Sequence, residues 1–174
     1  MPNRGDRIYV DTNAILESHR IKCWNAIASR FTLCTVEKCV EECATGNLVG
    51  AGIEVDVAAL RLKVKVEEVS TAERIQLNLR LGGSVILDAG EEHLIAKAIL
   101  QKNAWMLCSP DKAAIRATCL LKFGDRLVSL EELASGSGHE IAAKTKEHHL
   151  KKWLERQRTA ITLEILGKEN SAAG

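Results

Sequence analysis

Carboxylates that end apolar runs are the residues of this sequence best suited to chemistry. Asp11 closes the run in "RIYVDTN", and Asp111 closes the apolar segment "AWMLCSPD". Aspartate is a poor strand residue and is costly to bury without a partner, so each position needs a reason. One reason is that each side chain caps the helix that follows it. The other is that the two hold a metal ion, because carboxylates that meet at one edge of a sheet repel unless a cation lies between them.

Two helix-forming segments carry further acidic candidates. In "VEKCVEEC", Glu41 and Glu42 lie off the centre of the apolar face, where a solvated charged face is the alternative interpretation. In "LDAGEEHLIAKA", Asp88 and Glu91 fit the capping box of a helix start, and Glu92 is the neighbouring alternative. A carboxylate in the first turn of a helix can cap it and still bind metal. The residues alone leave these choices open.

Alternating strands and helices are predicted to position these side chains. Apolar runs indicate strands at "RIYV", "FTLCT", "VKVEEVS", "AWMLCSPD" and "DRLVSL". Helical spacing indicates a helix over residues 13 to 29, a helix through "VEKCVEECATG" capped by Thr35 and stopped by Gly46, and a helix from Thr71 through "TAERIQLNLRLGG". It also indicates one helix over "SVILDAGEEHLIAKAILQKN", with Leu94, Ile95, Ala98 and Ile99 inward, and a short one after Asp111.

This alternation predicts an α/β fold, a three-layer sandwich with a central parallel sheet flanked by helices. Strands separated by helices pair in parallel through right-handed crossovers. In open parallel sheets the functional crevice lies at the carboxyl ends of the strands. Asp11 and Asp111 are both expected at that edge.

Length and composition favour one compact domain with an appendage. The chain has 174 residues, of which 46% are hydrophobic and 27% charged, and a net charge of +1 gives no bulk argument for nucleic acid or a membrane surface. We expect a first domain over 1–134 and a C-terminal helical extension with a polar tail over 135–174. In the extension, a long helix over "IAAKTKEHHLKKWLERQRTAITLEIL" is predicted to carry a basic face, to place His148 and His149 on the surface, and to dock through Leu150, Trp153, Leu154 and Ile161.

The cysteines and the terminus favour a cytoplasmic protein. The six cysteines have neither C-x-x-C pairs nor the density of a disulfide scaffold, so we expect reduced core residues. The N-terminus lacks an apolar signal segment, and no run approaches the ~20 apolar residues of a membrane helix. No membrane association is expected.

With these four acidic segments in order, the chain resembles the PIN-domain ribonucleases, a family that includes the toxins of toxin-antitoxin pairs and RNA-processing nucleases. The resemblance rests on "YVDTNAILE", "VEKCVEEC", "LDAGEEHLIAKA" and "LCSPDKAAIRA", and it covers residues 7 to about 134. It implies an acidic cluster that binds Mg²⁺ or Mn²⁺ and cleaves single-stranded RNA by attack of water on the phosphodiester. It also implies a homodimer and, for a toxin, an antitoxin protein as partner.

The resemblance carries over residue by residue. Asp11 matches the first acid and Asp111 the fourth, while the family pattern selects Glu42 over Glu41 as the second acid and Glu91 as the third. These four acids are the expected catalytic and metal-binding residues. The expected supporting residues are Asn13, where the family has an amide that steadies the site, Ser109, where it has a hydroxyl, and Asp88.

Two other classes of function compete with a nuclease. A catalytically weak PIN-like module that binds RNA or a protein partner would also explain the fold, because the second and third acids have alternatives. A nucleotide-binding or phosphotransfer protein is disfavoured, since neither G-x-x-x-x-G-K nor G-x-G-x-x-G follows the first strand.

Overall fold

A four-stranded, all-parallel sheet forms the centre of the molecule and confirms the predicted α/β class. The structure, a computed structural model, describes residues 2–45 and 55–172. The sheet has the order β3-β2-β1-β4, so the first strand lies in its interior. The strands are β1 (Arg7–Val10), β2 (Thr32–Val36), β3 (Lys65–Glu67) and β4 (Met106–Cys108).

Helices connect these strands and cover both faces of the sheet, which gives the predicted three layers. Short 3₁₀ turns occur at Gly124–Arg126 and Glu147–His149. The α-helices are α1 (Thr12–Arg20), α2 (Trp24–Arg30), α3 (Glu37–Thr45), α4 (Val57–Arg61), α5 (Thr71–Leu81), α6 (Ala89–Ala98), α7 (Lys112–Leu120), α8 (Leu130–Gly136) and α9 (Lys151–Ala172).

Alternating side chains of the strands build two hydrophobic cores. Tyr9 and Leu107 point to the core that α6, α7 and α9 cover, and Ile8 and Cys108 point to the core beneath α1, α2 and α8. All six cysteines are buried and free of disulfide bonds, as predicted. Leu94, Ile95, Ala98 and Ile99 are also buried, as expected.

The predicted helix over residues 13 to 29 is wrong in one respect, because the structure has two helices there. Lys22 adopts a left-handed backbone (φ 62°) between α1 and α2. The Cys23 N–H donates to the Ser18 carbonyl (2.9 Å), which closes the first helix. Apolar residues continue on both sides of this turn, so periodicity alone does not reveal it.

Two predicted helix caps are also wrong. Thr35 lies inside β2, and its hydroxyl donates to the Val10 carbonyl (2.8 Å) instead of capping α3. Ser70, not Thr71, caps α5, since Ser70 and Glu73 form a reciprocal capping box. Gly82 ends α5 in the left-handed conformation, which confirms the glycine stop there. The proposed stop at Gly46 lies outside the described residues.

Three element boundaries differ from the sequence pattern. "DRLVSL" is not a strand, because a 3₁₀ turn and the cap of α8 leave a single parallel bridge between Leu107 and Leu127. Helix α6 begins at Ala89 rather than at Ser84, because Asp88 caps it. The C-terminal helix begins at Lys151, after a turn.

Among the described residues, no helix is long and apolar enough to cross a membrane.

Helix α9 completes the core that it covers. Trp153, Leu154 and Ile161 are buried in the same cluster as Tyr9 and Leu107, which confirms three of the four predicted docking residues. The fourth, Leu150, is half-buried and lies outside this cluster. The division of the chain at residue 134 stays a prediction.

Substitutions along α9 test this packing. We expect Leu154→Ala to lower the free energy of unfolding by about 2–4 kcal/mol, because it removes a buried side chain and leaves a cavity. Leu163→Ala is the matched control: Leu163 is 65% exposed on the same helix, and its loss is expected to cost less than about 0.5 kcal/mol. Urea unfolding measures both, and equal losses would contradict the packing described.

Candidate functional site

The predicted first acid, Asp11, is buried at the carboxyl edge of the sheet. Its side chain is 4% exposed, and its backbone N–H donates to the Cys108 carbonyl at the end of β4 (3.1 Å). Asp11 occupies the N-cap position of α1, yet its carboxylate makes no capping hydrogen bond. It accepts instead from the Ser109 hydroxyl at Oδ2 (3.0 Å). Helix capping therefore does not explain why an aspartate ends β1.

Ser109 links Asp11 to the fourth predicted acid, Asp111. The Ser109 oxygen accepts from the Asp111 backbone N–H (3.2 Å) while its hydroxyl donates to Asp11. Asp111 does cap its helix, since Oδ1 accepts from the Ala113 N–H (2.6 Å). The ends of β1 and β4 thus bring the two aspartates to one place, as parallel neighbours require.

The structure turns Glu42, and not Glu41, toward this edge. Thr12, the residue after Asp11, donates its hydroxyl to Glu42 Oε2 (2.6 Å). The same carboxylate lies against Gly90, where a Cβ would come within 2.7 Å of Oε2. Glu41 is exposed and pairs with Lys38 (3.0 Å), so it belongs to the solvated face of α3.

Glu91 is the third acid that faces the site. It is 5% exposed and forms a reciprocal capping box with Asp88, which is exposed. Burial raises the pKa of Glu91 well above its ordinary value, and a hydrogen bond shared with Asp111 raises it further. Glu92 points elsewhere, to Arg74 (2.8 Å) and Asn78 (2.7 Å).

In the described part of the chain, these carboxylates have no lysine or arginine as an ion-pair partner. Burial, together with the charges of Asp88 and Glu42, raises the pKa of Asp11 to about 7, although hydrogen bonds from the Ser109 hydroxyl and the Thr12 backbone N–H oppose the rise. Among the described residues, no lysine or arginine forms an ion pair with any of the five acids at this edge, Asp11, Glu42, Asp88, Glu91 and Asp111. Their charge is therefore uncompensated by protein cations in the described chain.

The chemistry of this donor set fits a hard divalent cation. Carboxylate oxygens are the ligands that Mg²⁺ and Mn²⁺ prefer, and the buried charge of Asp11 lacks a counterion. In the part of the chain that the structure describes, no three His, Cys, Asp or Glu side chains form a group that could hold a metal as they stand. Mg²⁺ usually keeps several waters and needs only one or two direct carboxylates, so a smaller ligand set is sufficient.

The structure also locates Asn13 and His149, whose positions were predicted from the sequence. Asn13 is exposed beside a cleft along α1, so its role as a supporting amide stays a prediction. The surface prediction for His149 is wrong: its side chain is 3% exposed, and His148 is half-buried. The reason is that residues 147–149 form a 3₁₀ turn packed under α9 rather than a turn of a continuous helix.

Sequence reasoning missed two residues that shape the site. Thr12 holds the Glu42 carboxylate, and Gly90 leaves space for it. A hydroxyl directly after a strand-ending aspartate is a weak signal for the first role. A glycine in the first turn of a helix, where it lowers helix propensity, is a signal for the second.

Comparison of the chain with protein-family models and with curated proteins found no match.

The raised pKa of Asp11 predicts how stability changes with pH when metal is removed. The folded state binds this proton up to about pH 7, whereas the ordinary aspartate value is 3.8, so the free energy of unfolding falls as pH rises between these values. We expect wild type in EDTA to lose on the order of 2 kcal/mol more between pH 5 and pH 8 than Asp11→Asn, which cannot ionise. Parallel pH profiles in urea unfolding would contradict the uncompensated burial of Asp11.

Proposed function

We propose that this chain is a metal-dependent ribonuclease of the PIN type, which hydrolyses phosphodiester bonds of single-stranded RNA at the carboxylates near Asp11. One observation carries the proposal. The Asp11 carboxylate is almost fully buried at the carboxyl edge of a parallel sheet, faces other acids, and has no described cation beside it. A buried carboxylate without a cation beside it lowers the stability of the fold, so a purely structural role does not explain Asp11.

Each residue then has a defined task. Ser109 and Thr12 fix the orientation of the Asp11 and Glu42 carboxylates by donating hydrogen bonds, which leaves their remaining oxygens for ligation. Burial and the neighbouring Asp111 raise the pKa of Glu91, so a cation bound beside these carboxylates would favour the ionised form of Glu91. A bound Mg²⁺ or Mn²⁺ would supply a water of lowered pKa and offset the negative charge of the phosphate.

A catalytically weak PIN-like module that binds RNA or a protein is the second candidate. It is favoured by the lack of a ready group of three metal-binding side chains among the described residues. A homodimer, an antitoxin partner and a cytoplasmic location remain expectations from the sequence.

Cleavage of a labelled single-stranded RNA separates the two candidates. We expect wild type to cut it with Mn²⁺ or Mg²⁺ and not with EDTA, and Asp11→Asn and Glu42→Gln each to lower the rate about 100-fold or more. Glu41→Gln is the matched control and should keep a rate close to wild type, since Glu41 faces solvent. A wild-type protein that binds RNA but never cleaves it with either metal would favour the binding module.

Gly90→Ala tests the geometry without removing a carboxylate. The added Cβ would meet the end of the Glu42 side chain, which can move aside, so we expect a folded protein with a reduced rate. Circular dichroism checks the fold. A rate equal to wild type would mean that the position of Glu42 is unimportant for cleavage.

A further inference from the structure

A cleft of about 360 Å³ lies along α1, next to the acidic edge of the sheet. One wall is the face of α1 that carries Asn13, Leu16, Glu17 and Arg20, a length of about 10 Å at the helical rise per residue. The other wall is the segment 143–149, which precedes α9. This segment lies beyond the part of the chain that resembles the PIN family.

Buried Glu17 fixes the two walls to each other. Its carboxylate is 4% exposed and accepts from both Arg20 (2.6 and 2.7 Å) and the Thr145 hydroxyl (2.7 Å). It also accepts from the Lys146 backbone N–H (3.2 Å), and Arg20 donates to the Lys144 carbonyl (2.7 Å). These hydrogen bonds therefore hold the backbone of residues 144–146 against α1 and fix the two walls of the cleft.

The rim of this cleft is basic. Lys144 and Lys146 are exposed, and neither forms an ion pair with an acid in the described ranges 2–45 and 55–172. The hydrogen bonds described above use their backbone atoms, so both ammonium groups are available to a ligand. The acid in the cleft, Glu17, is already neutralised by Arg20.

The cleft and the end of β4 beside the acidic site have two lining residues in common. His148 and His149 line the cleft, and they also line a small cavity with Ser109 and Pro110 at the end of β4. At the other wall, Asn13 follows Asp11 by two residues. A polymeric ligand that extends from the carboxylates along α1 would therefore pass Lys144 and Lys146.

We propose that this cleft binds the phosphate backbone of single-stranded RNA adjacent to the cleavage site, with Lys144 and Lys146 contacting phosphates. The inference rests on the proposed function, because it takes the RNA as the substrate of the acidic site. The contacts are electrostatic and carry no base recognition, so they bind without sequence preference.

Binding measured without metal tests the cleft separately from catalysis. We would titrate a fluorescein-labelled single-stranded RNA of twelve nucleotides with the full chain in EDTA, at several salt concentrations, and follow fluorescence anisotropy. Loss of two phosphate contacts in Lys144→Gln/Lys146→Gln is expected to weaken binding about tenfold and to reduce the slope of log K against log salt by about 1.4. Lys102→Gln is the control, since Lys102 is exposed at the opposite edge of the sheet, in the loop before β4.

Each outcome decides the inference. The proposal is overturned if wild type does not bind the RNA, if the double variant keeps the wild-type affinity and slope, or if the Lys102 variant loses as much per charge. If any of these results is obtained while Asp11-dependent cleavage in Mn²⁺ persists, the proposal for the cleft is rejected and the proposed nuclease activity is kept. Conversely, weakened binding by the double variant with no metal-dependent cleavage in wild type would reject the nuclease and keep the cleft as an RNA site.

Discussion

The buried charge of Asp11 is the constraint on which the rest of the site depends. A carboxylate removed from water needs a proton, a protein cation or a metal ion. The hydroxyl of Ser109 orients it but does not neutralise it, and the neighbouring acids make ionisation harder still. The edge of the sheet is thus held in a state that a divalent cation would relieve.

A second buried acid shows that this chain can compensate such a charge. Glu17 is as buried as Asp11, at 4% exposure, but Arg20 and Thr145 donate to it and its pKa is lowered to about 2. Glu17 joins α1 to the segment that contains Thr145 and Lys146. The contrast between the two acids favours a ligand for Asp11, because the fold could place an arginine beside a buried carboxylate and here does not do so among the described residues.

The sequence predicts most of the sheet and part of the site, for physical reasons that differ between residues. Strand-ending Asp11 and Asp111 are predictable, because apolar runs mark the strands and parallel strands align their carboxyl ends. The choice of Glu91 over Glu92 depends on the direction of each side chain from α6, which the capping box and the Arg74 pair decide. The contact of Glu17 with Thr145 joins residues 128 positions apart, and no local pattern reports it. The burial of His149 is not predictable from helical spacing, because residues 147–149 form a 3₁₀ turn and not part of a continuous helix.

Direct titration with Mn²⁺ tests whether the carboxylates around Asp11 form a cation site. Electron paramagnetic resonance reports the free ion, so a metal-free sample of the full chain can be titrated at pH 8 and again at pH 5.5. We expect saturable binding at pH 8 that weakens at pH 5.5, where the proton competes for Asp11, and that is strongly reduced in Asp11→Asn. Equal binding by wild type and Asp11→Asn, or no binding by wild type at pH 8, would contradict this expectation.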